Sequence, residues 1–219
     1  MKIRVVGKLK RAAPIRLLAA SLATAAALSL GCARASAQET RAAEQAQPQA
    51  AEQPAAQKYF TDVSLTNQDG DAMRLYSDLL KGKVVVIDFF FATCQGSCLP
   101  MNRNLQKVQD SLGDRLGKDV YLISISVDPA VDTPAKLKEY AKKLNARPGW
   151  YFLTGEKASV NFALRKLGQY VENKQDHTNI FIIGNERTGL WKKAFGLAKP
   201  EDIIKVVESV IDDQPAGDR

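Results

Sequence analysis

Residues 83–100 read KVVVIDFFFATCQGSCLP. Lys83 to Phe91 is apolar at nearly every position, the pattern of a strand buried on both faces, as in a parallel sheet whose two sides are covered by helices. The run ends on Cys94 and Cys98, four positions apart, in a chain with only three cysteines. Three chemistries suit such a pair at the mouth of a buried strand: a structural disulfide, a redox-active dithiol, or part of a metal site.

The elements around this strand decide where the cysteines lie. Upstream, VSLTNQDGDAMRL (63–75) has the form of a hairpin with Gly70 in its turn. Downstream, Met101, Leu105, Val108 and Leu112 recur at helical spacing. Val120–Val127 is a second buried strand, and Thr133 and Pro134 open a helix as N-cap and first helical residue. Trp150–Leu153 reads as a short strand, and Val160, Leu164 and Leu167 mark another helix. NIFII (179–183) and LWKKAF (190–195) flank a turn as a second hairpin, and Ile203, Val207 and Val210 line a closing helix. Strand–helix–strand followed by hairpin–helix is the order of a thioredoxin-like α/β sandwich, a central mixed sheet flanked by helices, here with an extra N-terminal β-hairpin.

The ends of the chain are different in kind. Residues 1–37 hold seven of the 31 Lys and Arg and none of the 24 Asp and Glu, so the net charge of +7 belongs to this segment and the remainder is balanced. A nucleic-acid partner is therefore not indicated. A basic start, an uncharged Leu17–Leu30 stretch and small residues at Ala35-Ser36-Ala37 make an export signal. Fourteen uncharged residues rise only about 21 Å as a helix, short of a bilayer core of roughly 30 Å. A spanning anchor would need the helix to start near Ala12 with Arg16 snorkelling. Cys32 in LSLGC resembles a bacterial lipobox, so the two processing outcomes are lipidation at Cys32 and cleavage after Ala37. Either puts the protein on the periplasmic side of the inner membrane, tethered or soluble. Residues 38–57, without aromatic or branched aliphatic side chains, read as a disordered linker. Residues 58–213 make one domain and 214–219 a frayed tail.

In the thioredoxin-like order, Cys94 lies in the loop leaving the C-terminal end of a central strand and Cys98 in or near the first turn of the next helix. Sites of open α/β sheets form at that end. The helix N-terminus is expected to lower both thiol pKa values. A structural disulfide fits poorly, because it would close too short a loop to restrain much chain. His177, the single histidine, precedes the hairpin strand whose start faces the cysteine loop. Thioredoxins carry a cis-proline in the segment that here holds His177. Two thiolates and a neutral imidazole form a soft donor set. Copper suits it better than zinc, which in structural sites usually takes four protein ligands.

The segments ATCQGSCLPMNRNLQKVQ, ISISVDPAVDTPAKLKEYAKKL, GWYFLTG and DHTNIFIIGNERTGLWKKAFG resemble the Sco/SenC family of copper-binding, thioredoxin-like proteins. The likeness runs in the family's order through most of residues 59–211. It implies copper, as Cu(I) or Cu(II), on Cys94, Cys98 and His177. It also implies a part in loading the binuclear copper site of cytochrome c oxidase subunit II, or in keeping that site's cysteines reduced. An upstream copper donor, a thiol reductant and a client cuproprotein are the partners it brings. Leu99 stands between Cys98 and Pro100 where many members have proline directly, and Gln95-Gly96-Ser97 lacks their acidic residue; neither departure removes a ligand. Asp176 and Asp128 are candidates to support the site from behind the ligands, and Asp132 reads as a capping or loop residue. The competing reading is a metal-independent thiol–disulfide reductase or peroxidase-like protein in which Cys94 and Cys98 form the redox dithiol.

Overall fold

The computed structural model describes residues 54–214. The segment read as an export signal, Cys32, most of the segment read as a linker and residues 215–219 lie outside this span. Five strands form the central sheet in the order β5-β4-β3-β6-β7: β3 (Val84–Phe90), β4 (Val120–Ser126), β5 (Trp150–Leu153), β6 (Ile180–Asn185) and β7 (Leu190–Phe195). β3, β4 and β5 run parallel, and β6 and β7 join antiparallel. All seven residues of β3 are buried, as its unbroken apolar pattern requires. The preceding hairpin, β1 (Ser64–Thr66) with β2 (Ala72–Arg74), turns at Gly70, whose φ of +93° a side chain would strain.

Alternate residues of β3 serve two cores. Val84, Val86 and Phe90 pack under α2 (Cys98–Leu112), α3 (Pro134–Lys143) and α5 (Pro200–Ile211). Val85, Ile87 and Phe89 face the hairpin, α4 (Lys157–Lys166) and a π-helical segment, Leu75–Leu80. Thr133 caps α3 by accepting the Lys136 N–H at 3.4 Å, with Pro134 at the first helical position. The hairpin closes the β5 edge: Thr66 and Thr154 exchange backbone bonds at 2.8 Å, and the Gln68 side chain accepts the Phe152 N–H at 2.8 Å. The opposite edge, β7, carries Lys192 and Lys193, charges that discourage pairing with another strand.

Two local features depart from the sequence reading. The linker was expected to extend through Gln57, but its last three residues belong to a helix, α1 (Ala55–Phe60). The aromatic residues behind it supply the anchor: the Tyr59 hydroxyl donates to the Lys166 carbonyl at 3.0 Å, and the Phe60 ring lies 5.7 Å from Trp191. Leu75, expected at the end of the hairpin, instead opens the π-helical segment Leu75–Leu80, for whose other residues the sequence predicts no element. Its Leu75, Tyr76, Leu79 and Leu80 are all buried, a spacing that a short helical turn satisfies beside the sheet.

The loop before β5 makes a sharp stability prediction. Gly149 has φ +99°, and a Cβ there would lie 2.4 Å from the Gly117 backbone nitrogen. Backbone cannot retreat as a flexible side chain can, so Gly149→Ala is expected to destabilise by about 3 kcal/mol or more. For a domain of this size that is a fall in Tm of about 10 °C, readable by thermal unfolding.

Candidate metal centre

The parallel strands deliver the cysteines and the antiparallel strand delivers the histidine. β3 ends at Phe90, and the loop that follows carries Cys94 to the mouth of α2, whose first residue is Cys98. Because β6 runs antiparallel to β3, its start lies at the same end of the sheet, three residues after His177. The two loops are joined directly: the Ser97 hydroxyl donates to the Asn179 side-chain oxygen at 2.5 Å.

The sulfurs of Cys94 and Cys98 and a ring nitrogen of His177 all lie within 4.8 Å of one another. Metal–ligand bonds of about 2.0–2.3 Å in a tetrahedral or trigonal site place donors roughly 3.3–4 Å apart, so a modest contraction of the set closes it on one ion. Both thiols are free. Cys98 is 1% exposed, while Cys94 and His177 are half-buried, which leaves the group reachable from one side.

The histidine is presented in a defined way. Its Nδ1 lies 2.9 Å from the Lys174 carbonyl, which can only accept, so Nδ1 carries the proton. The lone pair is then on Nε2, 3.3 Å from the Cys98 sulfur. Burial lowers the His177 pKa, more than the bond to Lys174 raises it, and this favours the neutral, ligating form. Asp176, a candidate to orient the ring, is exposed; the backbone carbonyl of Lys174 does so instead. Asp128, the other candidate, forms a 2.6 Å ion pair with the Lys174 ammonium.

The expected lowering of both thiol pKa values by the helix N-terminus is overturned at Cys98. Burial pushes that thiol well up, and the neighbouring Cys94 adds to the rise. Removing the sulfur from water outweighs the lowering by the backbone hydrogen bond at Phe91, so the metal-free protein disfavours the Cys98 thiolate. Asp132, read as a capping or loop residue, is fully buried and holds the start of the cysteine loop. It accepts the Ala92 N–H at 3.1 Å and the Ser126 hydroxyl at 2.6 Å. Lys174, Ser97 and Asn179 were not singled out from the sequence; polar residues in loops give no periodic signal, and only the fold shows what they touch.

Comparisons with known proteins agree with this geometry. A family model described as SCO1/SenC matches residues 51–212. A SCO1 protein homolog of Bacillus subtilis (strain 168) is 36% identical over 117 residues, 52% of this chain and 59% of that relative's length. Yeast Sco1 with copper bound superposes with a TM-score of 0.58 at 27% identity, covering 72% of this chain and 95% of the other. BsSco, a Sco-family cytochrome c oxidase assembly protein in which a disulfide switch was identified, superposes at 0.57 with 32% identity, covering 69% and 92%.

Proposed function

This chain belongs to the SCO1/SenC family, and on that premise we propose that it is an exported copper carrier that binds one ion through Cys94, Cys98 and His177. The observation that carries the proposal is the convergence of two free thiols and one correctly protonated imidazole within 4.8 Å. Two thiolates and an imidazole favour Cu(I), and the copper-bound structure of yeast Sco1 supports the same cargo.

In this reading Cys94 and Cys98 each give up a proton as copper enters, and His177 donates its Nε2 lone pair without proton loss. The metal stabilises the Cys98 thiolate, which burial otherwise disfavours. The half-buried Cys94 and His177 face the open side, so an incoming ligand can replace them before the buried Cys98 lets go. The client we propose is the binuclear copper site of cytochrome c oxidase subunit II, in line with the assembly role of the family to which BsSco belongs. The N-terminal segment would direct the carrier to the periplasmic side of the inner membrane, tethered if Cys32 is lipidated and soluble if the chain is cleaved after Ala37.

A redox step fits the same residues. When Cys94 and Cys98 are joined as a disulfide, both thiolate ligands are lost. A dithiol reductant restores them: its two thiols are oxidised to a disulfide while the Cys94–Cys98 bond is cleaved, two electrons and two protons moving to the pair. Reduction thereby licenses loading, a use consistent with the disulfide switch of BsSco. The test is a Cu(I) titration of the reduced and the oxidised protein against a competing chelator. One copper per reduced chain and none tightly held by the oxidised chain is expected. No tight copper in the reduced protein would leave the metal-independent thiol–disulfide reading in its place.

A further inference from the structure

The loop that carries His177 has little regular structure of its own. Between α4 and β6 it contains a single 3-10 turn, Lys174–Asp176. A ligand on such a segment must be fixed by contacts from outside it, and one residue makes them to both parallel strands that end nearby. The Lys174 ammonium lies 2.6 Å from an Asp128 carboxylate oxygen just beyond β4, and 5.0 Å from the centre of the Phe91 ring just beyond β3. The same residue's carbonyl takes the His177 Nδ1 proton. Phe91 closes the circuit: its ring meets the imidazole edge-to-face at 5.5 Å, and its carbonyl accepts the Cys94 N–H at 3.1 Å.

The geometry points to Lys174 as the positioning residue of the metal centre, a clamp that holds the histidine arm against the ends of β3 and β4 so that Nε2 meets both sulfurs. Its consequence for copper rests on the copper reading above; its consequence for the loop does not. Lys174 is tied by charge at one end and by its backbone at the other, so loss of the charge frees the carbonyl that orients the ring. The ion pair stands open on one side. Asp128 and Lys174 line a cavity of about 460 Å³, with Lys157, Asn161 and Glu172 on its walls. The pair is partly exposed, the Lys174 side chain more than that of Asp128, so concentrated salt weakens it in part, which distinguishes a clamp held by charge from one held by packing.

Two measurements on the complete chain test the clamp. In the metal-free reduced protein, amide hydrogen exchange across residues 174–179 is expected to accelerate in Lys174→Met and in wild type at about 1 M sodium chloride, with the global unfolding midpoint held. Lys174→Arg, which keeps the charge, restores slow exchange. In Cu(I) competition, Lys174→Met and Asp128→Asn each weaken binding about tenfold, and the double variant loses no more than either single, because both break one contact. Exchange and affinity unchanged in Lys174→Met overturn the proposal. Losses that multiply to about a hundredfold in the double variant also overturn it, since the two residues would then act separately. Wild-type protein that holds no copper, with exchange still accelerated in Lys174→Met, leaves the clamp standing and removes the copper reading.

Discussion

His177→Ala and Cys94→Ser are each expected to lower the affinity of the reduced protein for Cu(I) by more than about 100-fold, the upper range seen when only a supporting residue around a metal is removed. The reason is geometric. Three donors converge within 4.8 Å, and among the described residues no fourth cysteine, histidine or carboxylate is grouped with them. A lost donor can be replaced only by solvent, which is a poor ligand for a soft ion. Competition against a chromogenic Cu(I) chelator measures it. The histidine variant discriminates most sharply, because a dithiol redox protein needs both sulfurs but no imidazole. If His177→Ala binds copper as wild type does, the three-donor site is wrong and the redox reading takes precedence. Both variants should remain folded: neither thiol is in a disulfide, and the imidazole is only half-buried.

The second large effect lies beneath the site, at Asp88. This carboxyl is fully buried in β3 on the face that packs under α2. One oxygen accepts from the Ser124 hydroxyl, which itself accepts the Trp150 indole N–H at 2.9 Å; the other has no hydrogen-bond partner. Burial drives its pKa up to about 7 against an ordinary 3.8, the bond from Ser124 offsetting only part of the rise. Between those values the folded protein holds a proton that the unfolded chain does not, so stability falls as pH rises through that window and levels off above about 7. Each unit of displacement is worth about 1.4 kcal/mol, making the loss on the order of 4 kcal/mol. Asp88→Asn has nearly the same shape and no charge to bury. It is expected to match wild type near pH 4 and to exceed it increasingly up to pH 8. Denaturant unfolding of both proteins across that range reads the difference; parallel curves would show that Asp88 does not carry the proton. The charge of Asp88 is also felt at Cys98, where it adds to the upward shift of the thiol, so Asp88→Asn should ease thiolate formation while it stabilises the fold.

Much of this molecule was written in its local sequence. The unbroken apolar run of β3, the helical spacing of Met101, Leu105, Val108 and Leu112, the Thr133-Pro134 start of α3 and the Gly70 turn each follow from rules that act over a few residues. Together they give the element order of a thioredoxin-like sandwich. Once β3 and β6 are antiparallel neighbours, the ends that carry Cys94, Cys98 and His177 must coincide, which is why a metal centre was legible before any contact was known. What no local pattern carries is the environment of those groups. The Cys98 thiol is raised rather than lowered because the depth of its burial, set by packing from several distant elements, removes it from water. The imidazole is oriented by the Lys174 carbonyl and not by its neighbour Asp176, because adjacent side chains diverge while a 3-10 turn brings a carbonyl three residues back onto the ring. Lys174 meets Asp128 across 46 positions of chain and Ser97 meets Asn179 across 82. The sequence by itself determined which atoms could bind a metal; the tertiary structure decided how they are held and how readily they ionise, since burial and long-range contact exist only once the chain has closed on itself.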